Sequence, residues 1–142
     1  DFKKEFNFNI YFEKYSIALH NSPLNKEEFC IDNGGILAAY GLRDAHDLDF
    51  ISNYEDIHVN DSDIGCENKN HREEYLCLGY SIRDIIDNPI NHFYHFNKKF
   101  MALHILKKFK YNRTHTVGVG QQVIRQKDIN DYELIETVLM NQ

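Results

Sequence analysis

Apolar positions fall into short clusters separated by polar turns, and their period changes along the chain. From Phe2 to Tyr15 aromatic residues alternate with polar and charged ones. That pattern fits an edge strand or a short helix closing a core, and does not choose between them. Ser22-Pro23 interrupts it, because proline disfavours helix at the residue before it. The run from Glu27 to Ile31 approaches a glycine turn, with Phe29, Cys30 and Ile31 predicted to enter the core. Asp32 and Asn33 are expected to fix that turn through side-chain hydrogen bonds. Ile36 to Tyr40 is almost wholly apolar and predicts a short helix buried against a sheet. After a polar loop carrying Arg43, Asp44 and His46, the alternation resumes. It predicts a strand with Asp47 and Asp49 side by side on one face, and Leu48 and Phe50 turned to the core.

The second half reads in the same way. Tyr75 to Ile86 returns to the core, with Ser81 as N-cap of a short helix through Asp87 that Asn88-Pro89 ends. Phe93 to Phe96 alternates as a strand or hairpin arm does. Beyond Asn97 the pattern reads as helical: Ala102, Ile105, Leu106 and Phe109 share a face, while Lys99, Lys107 and Lys110 lie at its edges or opposite. Thr114 to Gln122 reads as a flexible loop; its Gly118-Val119-Gly120 has no preceding strand and no Walker lysine, which makes it a weak phosphate signal. A final helix follows, with Asp128 as N-cap, Asp131 in its first turn, and Tyr132, Ile135, Val138 and Leu139 as its buried stripe. The expected fold class is α/β in the α+β sense: one domain over residues 1–142, with a small mixed sheet flanked by helices.

Composition agrees with this frame. The chain has 142 residues, 42% hydrophobic and 13% aromatic, enough for one core and too few for two comfortable domains. No apolar run is long enough to span a bilayer and no signal-peptide pattern opens the sequence, so a cytoplasmic protein without a membrane span is expected. The first residue is Asp rather than Met, as in a piece of a longer protein. Cys30, Cys66 and Cys77 are odd in number and lack metal-type spacing, which fits a reducing compartment. The eight histidines form no zinc motif. The net charge is −6, yet no Asp or Glu lies between Lys98 and Lys127, a segment rich in Lys and Arg. An acidic protein with one basic stretch is expected to hold a local anion rather than nucleic acid in general.

The chemistry concentrates in Gly34-Gly35 through Asp47-Leu48-Asp49. Two carboxylates on one strand face repel each other unless a hard cation lies between them, and Mg2+ is typically held by one or two carboxylates plus substrate phosphates. A glycine pair lets backbone N–H groups approach a phosphate at a helix start. Together these features suggest phosphoryl or nucleotidyl transfer. Gly-Gly, a helix and loop, then Asp-Leu-Asp resembles the signature of the nucleotidyltransferase superfamily, the polymerase-beta-like fold. The downstream run Asp87-Asn88-Pro89, Phe93 to Phe100, Lys107 to Lys110, Arg113 and Lys127-Asp128-Ile129-Asn130-Asp131 is similar to small nucleotidyltransferase-like proteins associated with surface-polysaccharide biosynthesis.

The resemblance implies a nucleoside triphosphate donor, Mg2+ or Mn2+, and a small-molecule or glycan acceptor, beside a neighbouring glycosyltransferase domain. It implies Asp47 and Asp49 as metal ligands and catalytic carboxylates, with Gly34, Gly35, Arg43, Lys99 and Lys127 toward the nucleotide. The family's usual Ser is Gly35 here, which removes a hydroxyl that commonly helps hold phosphates. The family normally adds a third carboxylate, for which alternation singles out none of the following acids; Asp63, before the apolar Ile64, and Glu67, after Cys66, are the candidates. Two alternatives stay open: transfer of a phospho-ligand to a glycan, as LicD-like proteins do, and a non-catalytic nucleotide-binding or docking module.

Overall fold

The computed structural model describes residues 13, 17, 26–45, 48–53, 69–115 and 123–141. A short 3-10 turn, Lys26–Glu28, leads into strand β1, Phe29–Asp32. Helix α1, Gly34–Ala39, and strand β2, Asp49–Ser52, follow. Helices α2, Lys69–Cys77, and α3, Ile82–Asp87, precede a second 3-10 turn, Pro89–Asn91. Strands β3, His92–His95, and β4, Lys98–Met101, then lead to helices α4, Leu103–His115, and α5, Gln126–Met140. The expected mixed sheet with flanking helices is present, in the order β2-β1-β4-β3. β1 runs antiparallel to β2 and parallel to β4, and β3 is antiparallel to β4.

Local chemistry explains most of the boundaries. α1 and α2 end alike. The N–H of Leu42 reaches the Leu37 carbonyl at 2.9 Å and that of Tyr80 reaches the Tyr75 carbonyl at 2.9 Å. Gly41 and Gly79, at φ of 71° and 96°, make the left-handed turn this closure needs. Ser81 caps α3 as expected, and Asp84 returns the bond in a full capping box.

Two expectations are corrected. Lys99 lies in β4 and not on a helix, because Phe96 and Asn97 both take positive φ, 50° and 63°, and turn the chain back as a two-residue hairpin. Asp128 does not cap α5: the helix begins at Gln126, Arg125 occupies the cap position, and the Asp128 side chain is buried.

The sheet separates two packed layers. Ile31, Phe50 and Phe100 share the face toward α1 through register, and a Cβ on Gly35 would lie 2.7 Å from Ile31 Cγ2 and 3.0 Å from Leu48 Cδ2. That close approach is what seats α1 on the sheet. Cys30, Asp32 and Lys99 point to the opposite face, where Tyr75 of α2 and the Ile86 carbonyl of α3 meet them. Phe109 of α4 anchors α2 there, its ring centroid 5.2 Å from His71 and 5.0 Å from Tyr75. Among the described residues no helix is long and apolar enough to cross a membrane.

Candidate metal and phosphate site at the start of the first helix

The end of β1 brings polar groups to the sheet's edge with β2. Asp32 is the register partner of Asp49. Directly opposed residues of an antiparallel pair have Cβ atoms about 4.5–5.5 Å apart on one face. Asp32 is fully buried and Asp49 half-buried. The Asp32 Oδ2 accepts hydrogen bonds from the Tyr75 hydroxyl and from His71 Nδ1, the latter at 3.2 Å. Among the described residues its Oδ1 has no hydrogen-bond partner, and neither does the buried Oδ1 of Asn33. The expectation that these two side chains fix the turn is therefore corrected. Asn33 turns the chain through its backbone, at φ 59° and ψ −129°, and its carbonyl accepts the Ile36 N–H at 3.0 Å. For a residue other than glycine this conformation is strained, and such strain concentrates at functional turns.

Gly34 and Gly35 open α1, and they differ in surroundings. Gly35 faces the core, where Ile31 and Leu48 leave no space for a side chain. A serine side chain at this position is thus excluded by packing. Gly34 faces Arg43, whose Nη1 and Nη2 would each be 3.3 Å from an added Cβ. Arg43 in turn grips Asp131 with both arms of its guanidinium, Nε to Oδ1 at 2.7 Å and Nη2 to Oδ2 at 2.9 Å, and donates to the Asp44 carbonyl at 2.8 Å.

Behind Arg43 lies a buried ionic cluster. Lys110 Nζ bridges Asp128 Oδ1 at 2.8 Å and Asp131 Oδ2 at 3.0 Å, with all three side chains essentially excluded from solvent. Arg113 holds Glu74 in a bidentate pair at 2.9 and 2.6 Å, tying α4 to α2. Arg125 adds a contact to Asp128 at 3.3 Å. Burial pushes the carboxyls of Asp128 and Asp131 upward, but Lys110 with Arg125 and Arg113 for the first, and Arg43 with Lys110 for the second, outweigh it and hold both below the usual carboxylate range. These acids are therefore ion-pair partners of Lys110 rather than helix caps.

Lys127 stands apart from this pairing. It is exposed and has no hydrogen bond or ion pair among the described residues. Partial burial lowers its pKa first, then Arg43 and Lys110; Asp131 opposes them and Arg125 adds to the lowering. A cation crowded by cations is a ready partner for an anion. Lys99 is different: its buried ammonium donates to the Glu27 and Ile86 carbonyls, each at 2.8 Å, with the Glu27 carboxylate at 3.5 Å. It braces the sheet against α3.

The structure thus brings Gly34, Arg43 and Lys127 together near the end of β1, where Asp49 faces Asp32, and sets Lys99 elsewhere. Asp47, His46, Asp63 and Glu67 lie outside the described residues. Among those described, no group of three or more His, Cys, Asp or Glu is arranged to hold a metal ion. A pair of carboxylates does fit Mg2+, which needs one or two beside waters and phosphates, and the orphaned Asp32 Oδ1 is the chemistry such an ion would satisfy. Sequence reading missed Asp32 because its partner is set by cross-strand register; the signal was an acid closing a buried Phe-Cys-Ile strand directly before the glycine turn. Comparison with protein-family models, with curated proteins and with solved structures finds no match for this chain.

Proposed function

We propose that this domain is a metal-dependent nucleotidyltransferase, moving a nucleoside monophosphate from a nucleoside triphosphate to a hydroxyl or phosphate acceptor such as a sugar or glycan precursor. The observation that carries the reading is the juxtaposition at the β1–α1 turn: a carboxylate face at Asp49 on one side, and on the other the guanidinium of Arg43 against Gly34 with the exposed ammonium of Lys127 near it. Transfer of a nucleoside monophosphate needs both, a cation platform and an anion cradle, within the span of one triphosphate.

Asp47 and Asp49 would hold Mg2+, which when bound neutralises phosphate charge and makes the acceptor oxygen easier to deprotonate. Lys127 meets the phosphate oxygens and offsets their charge. Arg43, fixed by Asp131, holds the wall beside Gly34 so that the phosphates find a rigid surface. The acceptor oxygen attacks the α-phosphorus, its proton passes to one of the two aspartates, and the bond to pyrophosphate breaks.

Calorimetric titration of the four common nucleoside triphosphates, each with and without Mg2+, tests the reading. Metal-dependent binding by wild type is expected, absent in Asp47→Asn/Asp49→Asn and weakened in Lys127→Gln while both variants keep the wild-type circular dichroism. A folded wild type that binds no triphosphate overturns it.

A further inference from the structure

We infer that Asp32 is a direct ligand of the divalent cation, sharing it with Asp49 across the β1/β2 pair, and that α2 sets its position through His71 and Tyr75. The inference rests on the metal-binding half of the proposed function and adds to it a carboxylate from the strand before the glycine turn.

Three observations converge. Register sets Asp32 opposite Asp49, so their side chains leave the same face of the sheet at the same level. Secondly, Asp32 is completely buried yet only one of its oxygens is used: Oδ2 takes both the Tyr75 and His71 bonds and Oδ1 takes none. An unsatisfied oxygen on a buried carboxylate is costly, and the Asn33 Oδ1 beside it in sequence is a second buried acceptor without a partner. A buried carboxylate oxygen lacking a donor is the kind of hard oxygen that a divalent cation satisfies. Thirdly, the used oxygen is held as metal-bound carboxylates are held. Its hydrogen-bond donors sit on a helix fixed from behind by Phe109 and by the Arg113–Glu74 pair.

Titration of Mn2+ into the nucleotide-free protein, followed by the electron paramagnetic resonance of the free ion, tests this without any catalytic assay. Wild type should bind Mn2+. Asp32→Asn, which keeps the shape and one acceptor, should lose more affinity than Tyr75→Phe, for which about tenfold is expected of a ligand's supporting bond. In wild type alone, bound Mn2+ should broaden the amide resonances of Asp32, Asn33 and Asp49 before others, which decides the matter even where Asp32→Asn fails to fold. Unchanged Mn2+ affinity in a folded Asp32→Asn protein, broadening centred elsewhere, or no Mn2+ binding by wild type would each overturn the inference. Mn2+ bound at Asp32 by a protein that takes no triphosphate would leave it standing and remove the transferase reading. Triphosphate binding indifferent to Asp32→Asn would do the reverse.

Discussion

The two glycines that open α1 show how differently neighbouring residues of one motif are constrained. Gly35 is held by contact: a side chain there would press on Ile31 and Leu48, both fully buried and both in the sheet or its margin. Overpacking of this kind typically costs about 1–3 kcal/mol. Gly35→Ser should therefore lower the urea midpoint by that order and restore nothing at the phosphate side, because the new hydroxyl would face the core. Gly34→Ala meets only the end of Arg43, at 3.3 Å, and the better helix propensity of Ala, worth about 0.5–1 kcal/mol, offsets the contact. Its midpoint should stay near wild type. Equal losses in the two variants would show that α1 is not seated on the sheet as described. Reading the glycine pair as one phosphate cradle was reasonable from spacing alone, since nothing in Gly-Gly distinguishes a residue that approaches a ligand from one that approaches Ile31.

What single elements reveal, and what only their pairing reveals, separates along the same line. Ser81 with Asp84 was legible because a capping box is local. The strand carrying Asp49 was legible because period two is local, and β2 does begin at Asp49, while Asp47 lies outside the described residues. The hairpin turn was not, because Phe96 and Asn97 carry its positive φ without a glycine to mark it, so Lys99 was drawn into the helix that follows. Asp128 and Asp131 were read as cap and dipole partners because the view of one helix cannot include Lys110 on another. That lysine ties α4 to α5 through two buried carboxylates. Lys110→Met leaves two buried carboxylates without their shared cation, a loss of about 3–5 kcal/mol by analogy with broken buried pairs. Chemical denaturation should show it, and Lys110→Met/Asp128→Asn should recover part of it by removing one of the stranded charges. If the double variant is no better than the single one, the cluster is held by packing and not by charge.

At the scale of the whole molecule these buried groups set a stability window in pH. Asp128 and Asp131 have folded-state pKa values below their unfolded ones, so their contribution is present above the unfolded carboxylate value of about 3.9 and is lost as pH falls through the lower, folded values. The alkaline limb has the opposite origin. Burial, then the charge of Asp32, raises the Cys30 thiol well above its ordinary value, with Lys99 opposing. Tyr75 is raised by burial and then by the charge and hydrogen bond of Asp32. Groups raised in the folded state stabilise it below their unfolded pKa, about 8.5 for a thiol, and cease to as pH climbs through the folded value. The melting temperature should accordingly be flat between about pH 5 and 8, fall below about 4, and fall again above about 8.5. Cys30→Val removes the first of the alkaline groups at similar volume and should move that onset up toward the tyrosine range, near 10. Lys110→Met tests the acid limb. Without Lys110, only Arg125 and Arg113 oppose burial at Asp128, so its carboxyl is lowered less and the variant loses less stability than wild type as that group is protonated. The gap in melting temperature between wild type and Lys110→Met should then narrow as pH drops from 7 to 4. A gap that stays constant across that range would mean that the two aspartates titrate alike in both proteins, and that Lys110 does not control them.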